Sequence, residues 1–136
     1  MAFILSSREL RRLHGRAYRA QQKGHLEVGG LLLADEGKRL RFAFLENQAT
    51  RPYRYEARAA EVRQFRAALK GGKLEVIGRF HSHPVGYATL SEGDQKAASS
   101  RTVTLVYDVC GRTAKLWKIT RRGGRPTPVE VPLCRS

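Results

Sequence analysis

Cysteine is nearly missing from this chain: Cys110 and Cys134 are the only two among 136 residues. Two thiols cannot build a disulfide scaffold, so the fold must rest on a hydrophobic core. Long apolar runs are missing as well, and none approaches the ~18 residues of a membrane span. The opening Met1-Ala2-Phe3-Ile4-Leu5 is apolar for five residues without a basic segment before it, which argues against a secretory signal. Together these features lead us to expect a cytoplasmic protein with no membrane partner. Acidic residues are scarce. Twelve Asp and Glu face 26 Lys and Arg, for a formal net charge of +14. Such an excess invites a nucleic-acid reading through counterion release. Aromatics make up only 8% of the chain and are not interleaved with the basic residues, and no known nucleic-acid-reading motif appears.

What remains is a 41% hydrophobic sequence of a length suited to one domain spanning residues 1–136. The spacing predicts a helix over Ser6 to Lys23, opened by the capping box Ser6-x-x-Glu9 and closed by Gly24. Leu10, Leu13, Ala17 and Ala20 share one face. Arg8, Arg12, Arg16, Arg19 and Lys23 form a basic stripe on another, read as a solvated outer face. Two strand-like runs follow, Val28–Ala34 and Leu40–Leu45, joined by a turn over Asp35–Lys38. A second helix is predicted over Ala57 to Lys70, with Val62, Phe65 and Leu69 turned inward. Leu74–Phe80 then reads as a strand leading into His81. A short third helix is expected to start near Ser91 and fade around Ser99-Ser100. Thr102–Tyr107 and Ala114–Ile119 are further strands, and Val129–Leu133 is a weaker edge-strand candidate between two prolines. Helices interleaved with a β-rich middle imply an α/β or α+β fold, a central mixed sheet packed by helices.

The chemistry concentrates in His81-Ser82-His83-Pro84 and, with seven residues between His83 and Ser91, in Ser91-x-x-Asp94. Histidines at i and i+2 of a strand point to one side, so both imidazoles can reach one ion. Ser91 and Asp94 lie one helical turn apart, which brings the carboxylate back toward the turn. Two imidazoles and one carboxylate form a three-ligand set that leaves a fourth zinc position open, as in catalytic sites. Each fragment has a plainer reading: ordinary polar strand residues for the histidines, and a helix cap for Ser91. Other zinc chemistries are excluded by their missing motifs. The chain has no C-x-x-C for a deaminase and no H-E-x-x-H. The lone thiols read as inert, and His14 and His25 as structural or solvent-facing.

The combined pattern His81-x-His83, seven residues, Ser91-x-x-Asp94 resembles the signature of the JAMM (MPN-plus, JAB-type) zinc metalloproteases. The upstream run Leu26-Glu27-Val28-Gly29-Gly30-Leu31-Leu32-Leu33 resembles that family's glutamate-bearing strand, and the element order agrees along nearly the whole chain. The resemblance implies an MPN/JAB-type domain with cytidine-deaminase-like layering. It also implies one Zn2+ held by His81, His83 and Asp94. Glu27 would be the general base, taking a proton from water and passing it to the leaving amine. Ser91 would assist at the oxyanion. The double glycine Gly29-Gly30 has a plainer reading too, as a close-packing point between backbones.

The chain most resembles the compact, stand-alone prokaryotic members of that family. Those act on the C-terminal Gly-Gly of ubiquitin-like or sulfur-carrier proteins, so the expected reaction is hydrolysis of a peptide or isopeptide bond after such a tail. The expected partner is acidic, given the basic surplus. Arg121-Arg122-Gly123-Gly124 itself resembles such a tail, but a β-turn is the simpler reading. The alternatives are a basic nucleic-acid-binding module and a non-catalytic MPN scaffold.

Overall fold

The computed structural model describes residues 2–97 and 101–136. The chain opens with a short strand, β1 (Phe3–Leu5), followed by helix α1 (Ser7–Gln22). Ser6 caps α1, its hydroxyl accepting from the Glu9 N–H at 3.1 Å. The Glu9 carboxylate does not complete the expected box. It is buried and engages Arg12 at 3.1 Å and Arg41 at 3.6 Å, because an acid turned toward the sheet gains more from two cations than from one amide.

Strands β2 (Gly29–Ala34) and β3 (Leu40–Leu45) form an antiparallel hairpin. Helix α2 (Ala59–Leu69) starts two residues later than predicted. Its N-cap is Arg58, which makes no side-chain capping bond. Strand β4 (Glu75–His83) runs three residues past Phe80, since its neighbour β5 (Val103–Asp108) stays in parallel register as far as His83 opposite Asp108. Between them lies helix α3, described over Glu92–Ala97, so the expected end near Ser99-Ser100 falls outside the described residues. Strand β6 (Thr113–Arg122) turns at Gly123-Gly124 into β7 (Arg125–Val131), and β8 (Leu133–Arg135) follows Pro132.

The main sheet has six strands in the order β3-β2-β4-β5-β6-β7, antiparallel except for the parallel β4–β5 pair. A separate parallel pair, β1 with β8, ties the two ends of the described chain together. Strand β1 lies outside the expected elements, and the tail forms two strands, β7 and β8, that extend beyond the expected Val129–Leu133 on both sides. The reason for the second lies at the turn. Gly123 and Gly124 both have positive φ, at 58° and 78°, which lets a two-residue hairpin carry the ladder straight on from Arg122 to Arg125. Pro126 and Pro128 are tolerated because β7 is an edge strand.

Side-chain alternation divides the core between two faces of the sheet. Leu32, Phe42, Phe80, Leu105 and Leu116 pack on one face, where α1 contributes Leu13 and Ala17. Leu31, Leu33, Ala43 and Leu45 face the other way and meet Val62, Phe65 and Leu69 of α2 as expected. On that second face Leu90, Val106, Ile119 and Trp117 form a further cluster beside α3. The result is a mixed sheet with helices on both faces, the layered α/β arrangement expected from the pattern of elements.

Candidate metal centre

The site is assembled at the end of the sheet where β4 finishes and β2 begins. Phe80 and Ser82 point into the α1 face, so His81 and His83 project from the opposite one. Pro84 is buried directly after His83, and its carbonyl accepts from Gln21 Nε2 of α1 and from Cys110 Sγ, the latter at 3.2 Å. The loop beyond it is pinned by Trp117 Nε1, which donates to the Ala88 carbonyl at 2.9 Å, and by buried Leu90. Those anchors deliver Ser91 to the start of α3. There the Ser91 hydroxyl accepts from the Asp94 N–H at 3.1 Å, and the Ser91 N–H donates to Asp94 Oδ2 at 3.0 Å. The capping reading of Ser91-x-x-Asp94 is therefore realised, and its reciprocal bond aims the Asp94 carboxylate.

His81 Nε2, His83 Nε2 and Asp94 Oδ2 converge in a nearly equilateral triangle with edges of 3.1, 3.1 and 3.2 Å. Tetrahedral ligands at the ~2.0 Å typical of zinc–nitrogen bonds stand roughly 3.3 Å apart. The three residues form a group that could hold one metal ion. The donor chemistry supports the fit. His83 Nδ1 lies 2.9 Å from the Tyr87 carbonyl, which only a protonated Nδ1 can satisfy, leaving the lone pair on Nε2 for the triangle. A lone pair, a second imidazole nitrogen and a carboxylate oxygen at this separation require a cation or a proton between them.

The electrostatics point the same way. Burial works against charge on Asp94, but when the imidazoles of His81 and His83 are protonated their hydrogen bonds hold its carboxyl far below the usual carboxylate range. Burial opposes charge on His83 too, yet the bonds to Asp94 and the Tyr87 carbonyl raise its pKa. The cluster is thus organised to receive positive charge.

Glu27 reaches the same end of the sheet through backbone register. Gly29 pairs with His81 in the antiparallel β2–β4 ladder, which carries Glu27 to the level of His83. The side chain is buried at 7% exposure, and that burial raises its pKa, with the charge of Asp94 adding to the rise. His81, His83 and Arg54 pull the other way without cancelling it. Gly29-Gly30 is a close-packing point between backbone segments. A Cβ at Gly30 would meet the Ala43 carbonyl oxygen at 1.9 Å, and one at Gly29 would meet the Tyr55 ring at 2.8 Å.

A family model described as prokaryotic homologs of the JAB domain matches residues 10–120. The chain belongs to the JAMM/MPN family. The span matched runs from α1 through β6 and includes Glu27, His81, His83, Ser91 and Asp94. Comparison with curated proteins finds no match. Among solved structures, this JAMM/MPN chain is similar to the solution structure of a Desulfitobacterium hafniense protein. The TM-score is 0.75 at 20% identity, over 98% of this chain and 92% of that one. It is also similar to a structure described as a metalloprotease-like zinc site in the proteasome and signalosome. There the TM-score is 0.55 at 14% identity, over 98% of each chain.

Three residues that position this JAMM/MPN site escaped the sequence reading. Ser82 is fully buried between the two histidines, and its hydroxyl accepts from the Val28 N–H at 2.9 Å. A hydroxyl on the core face of a strand was the available signal. Asn47 donates from Nδ2 to the carbonyls of Glu27 and Arg54 at 2.9 and 2.8 Å, while its Oδ1 accepts from Ala49 and Glu56 N–H groups. Tyr55 lies over Gly29 and donates to the Leu45 carbonyl at 3.0 Å. For Asn47 and Tyr55 no periodic pattern marks the role, because each works across a loop. Of the remaining candidates, His14 is hydrogen-bonded to Tyr107, and His25 is exposed and stacked on Tyr53. Cys110 and Cys134 are exposed free thiols. No helix among the described residues is long and apolar enough to cross a membrane.

Proposed function

We propose that this chain is a zinc-dependent peptidase or isopeptidase that cuts after the C-terminal Gly-Gly of a ubiquitin-like or sulfur-carrier protein. The observation that carries the reading is the convergence of His81, His83 and Asp94 within 3.2 Å of one another, at the sheet end where buried Glu27 enters β2. A single zinc ion held by those three residues would supply a Lewis acid for the scissile carbonyl and lower the pKa of a water toward ~7.

Glu27 is the general base. Its burial raises the carboxyl toward the range where a base both accepts and returns a proton near neutrality. It takes one proton from the attacking water and delivers it to the departing amine nitrogen as the C–N bond breaks. The products are a free glycine carboxylate and an amine. Ser91 spends an acceptor lone pair on the Asp94 N–H, which leaves its hydroxyl hydrogen free to donate to the developing oxyanion. Its exposed position at the helix start makes it accessible to substrate. A di-glycine tail suits a narrow groove because it carries no side chains to exclude. The test is hydrolysis by zinc-loaded protein of carrier conjugates ending Gly-Gly-X, compared with unrelated peptides. Selective release of X supports the assignment. Free cleavage of the unrelated peptides with none of the conjugate rejects it.

A further inference from the structure

The basic stripe of α1 is not merely an outer face. Arg16, Arg19 and Lys23 wall a groove of about 280 Å³ whose other side is formed by Glu27, Asn47 and Ala49. Ala49 also lines a second groove of about 390 Å³ that contains Arg51, Arg54 and Tyr55. Tyr55 in turn lines a third of about 210 Å³, which ends on the metal-site residues His81 and Asp94. Because each groove shares a wall residue with the next, the three lie side by side and mark out a path around the entry of β2. That path leads from the C-terminal half of α1, past Glu27, to the candidate metal ligands.

Its charge is lopsided. Arg16, Arg19, Lys23, Arg51 and Arg54 are all exposed, and none is ion-paired to an acid among the described residues. The acids along the path are occupied otherwise. Glu27 is buried, and Glu56 accepts from Gln48 Nε2 at 2.9 Å. Arg16 is held in place with its guanidinium 4.3 Å from the centre of the Phe44 ring, so this cation is oriented rather than free to wander. The loop bearing Arg51 and Arg54 is fastened by the Asn47 bonds and by the Tyr53 N–H donating to the His25 carbonyl at 3.1 Å.

We propose that this path is the docking surface for an acidic segment of the protein whose conjugate is cleaved; the inference rests on the hydrolase reading above. Five cations without an acidic partner among the described residues, three of them lining the same groove as the general base, would steer an acidic polypeptide so that its tail arrives at the metal site. A nucleic acid fits less well. Tyr53 is the one exposed aromatic in the loop, and it is already stacked on His25, which leaves little for bases to stack upon.

The test compares the wild-type protein with an Arg19→Glu/Lys23→Glu variant and with a control, Arg66→Glu/Lys73→Glu. The control removes equal charge at the opposite end of β4. Poly-L-glutamate is the binding probe, read by fluorescence anisotropy across a salt series, and a single-stranded oligonucleotide of matched charge is run in parallel. Affinity for poly-L-glutamate is expected to fall roughly tenfold in the α1 variant and to change little in the control. Cleavage of a short neutral Gly-Gly amide is expected to be equal in all three proteins. Equal losses in variant and control, or tighter binding of the oligonucleotide, would overturn the proposal. Binding needs no turnover, so a protein that cleaves nothing but binds in this pattern sinks only the hydrolase reading.

Discussion

Ser82 and Val28 are joined twice: the Ser82 hydroxyl accepts from the Val28 N–H at 2.9 Å, and the Ser82 N–H donates to the Val28 carbonyl at 2.9 Å. This clamp locks the residue between the two histidines to the residue after Glu27, and so sets the proposed base against the proposed ligands. Ser82→Ala leaves the Val28 amide short of its side-chain partner. Stability should fall by about 1–2 kcal/mol. Turnover should fall roughly tenfold or more while zinc content holds, because the ligands stay and the base drifts. Metal analysis beside steady-state kinetics checks this; zinc loss in proportion to activity would assign Ser82 to the metal shell instead.

The proposed ligands and the proposed base should separate cleanly. His81→Ala, His83→Ala and Asp94→Asn are each expected to abolish zinc retention after dialysis. Glu27→Gln should keep the metal and lose about 10²–10⁴-fold in turnover. A Glu27→Gln protein with wild-type activity would remove the general-base role.

Glu27 also makes a pH prediction whose sign follows from its burial. The folded-state pKa is raised, so the buried carboxyl favours folding while protonated, at pH below the unfolded value. That contribution is lost as pH rises through the folded pKa. Metal-free Glu27→Gln should therefore melt above metal-free wild type at pH 7, with the gap closing near pH 4. A variant less stable than wild type at pH 7 contradicts the burial argument.

The double glycine admits a graded test. Gly30→Ala drives a Cβ into the Ala43 backbone, where nothing can yield, and should cost above about 4 kcal/mol or prevent soluble expression. Gly29→Ala meets the Tyr55 ring at 2.8 Å and the Phe80 carbonyl oxygen at 2.7 Å. One of those neighbours can move, so thermal melts should rank the two substitutions in that order. The reverse ranking would mean that the packing argument is wrong.

Arg121-Arg122-Gly123-Gly124 should not be cut by the protein itself. Gly123 and Gly124 are the two turn residues of the β6–β7 hairpin, and a ladder on both sides keeps them from lying extended in a groove. Intact mass before and after zinc addition should be identical; a fragment ending at Gly124 would show otherwise.

Much of this molecule was legible beforehand because its signals are local. Ser6 and Gly24 bracket α1 through backbone groups within one turn, and Val62, Phe65 and Leu69 report their buried face by spacing alone. The spacing of His81 and His83 put two imidazoles on one side of a strand before any partner was known. Other features needed contacts between distant segments. The β1–β8 pair joins residues at opposite ends of the sequence, and Glu9, the second arm of the capping box at Ser6, turns instead toward Arg41, 32 positions beyond Glu9.

The sequence alone determined which residue types meet at the site, because strand alternation and one helical turn are short-range geometry. Tertiary structure decided how they meet. Parallel pairing with β5 extended β4 through His83, and the register of β2 on β4 brought Glu27 level with it. The same packing turned half of a solvated-looking arginine stripe into the wall of a groove beside that glutamate. Register and groove depend on which strands become neighbours, and that is set by burying the whole core at once, not by any one segment's pattern.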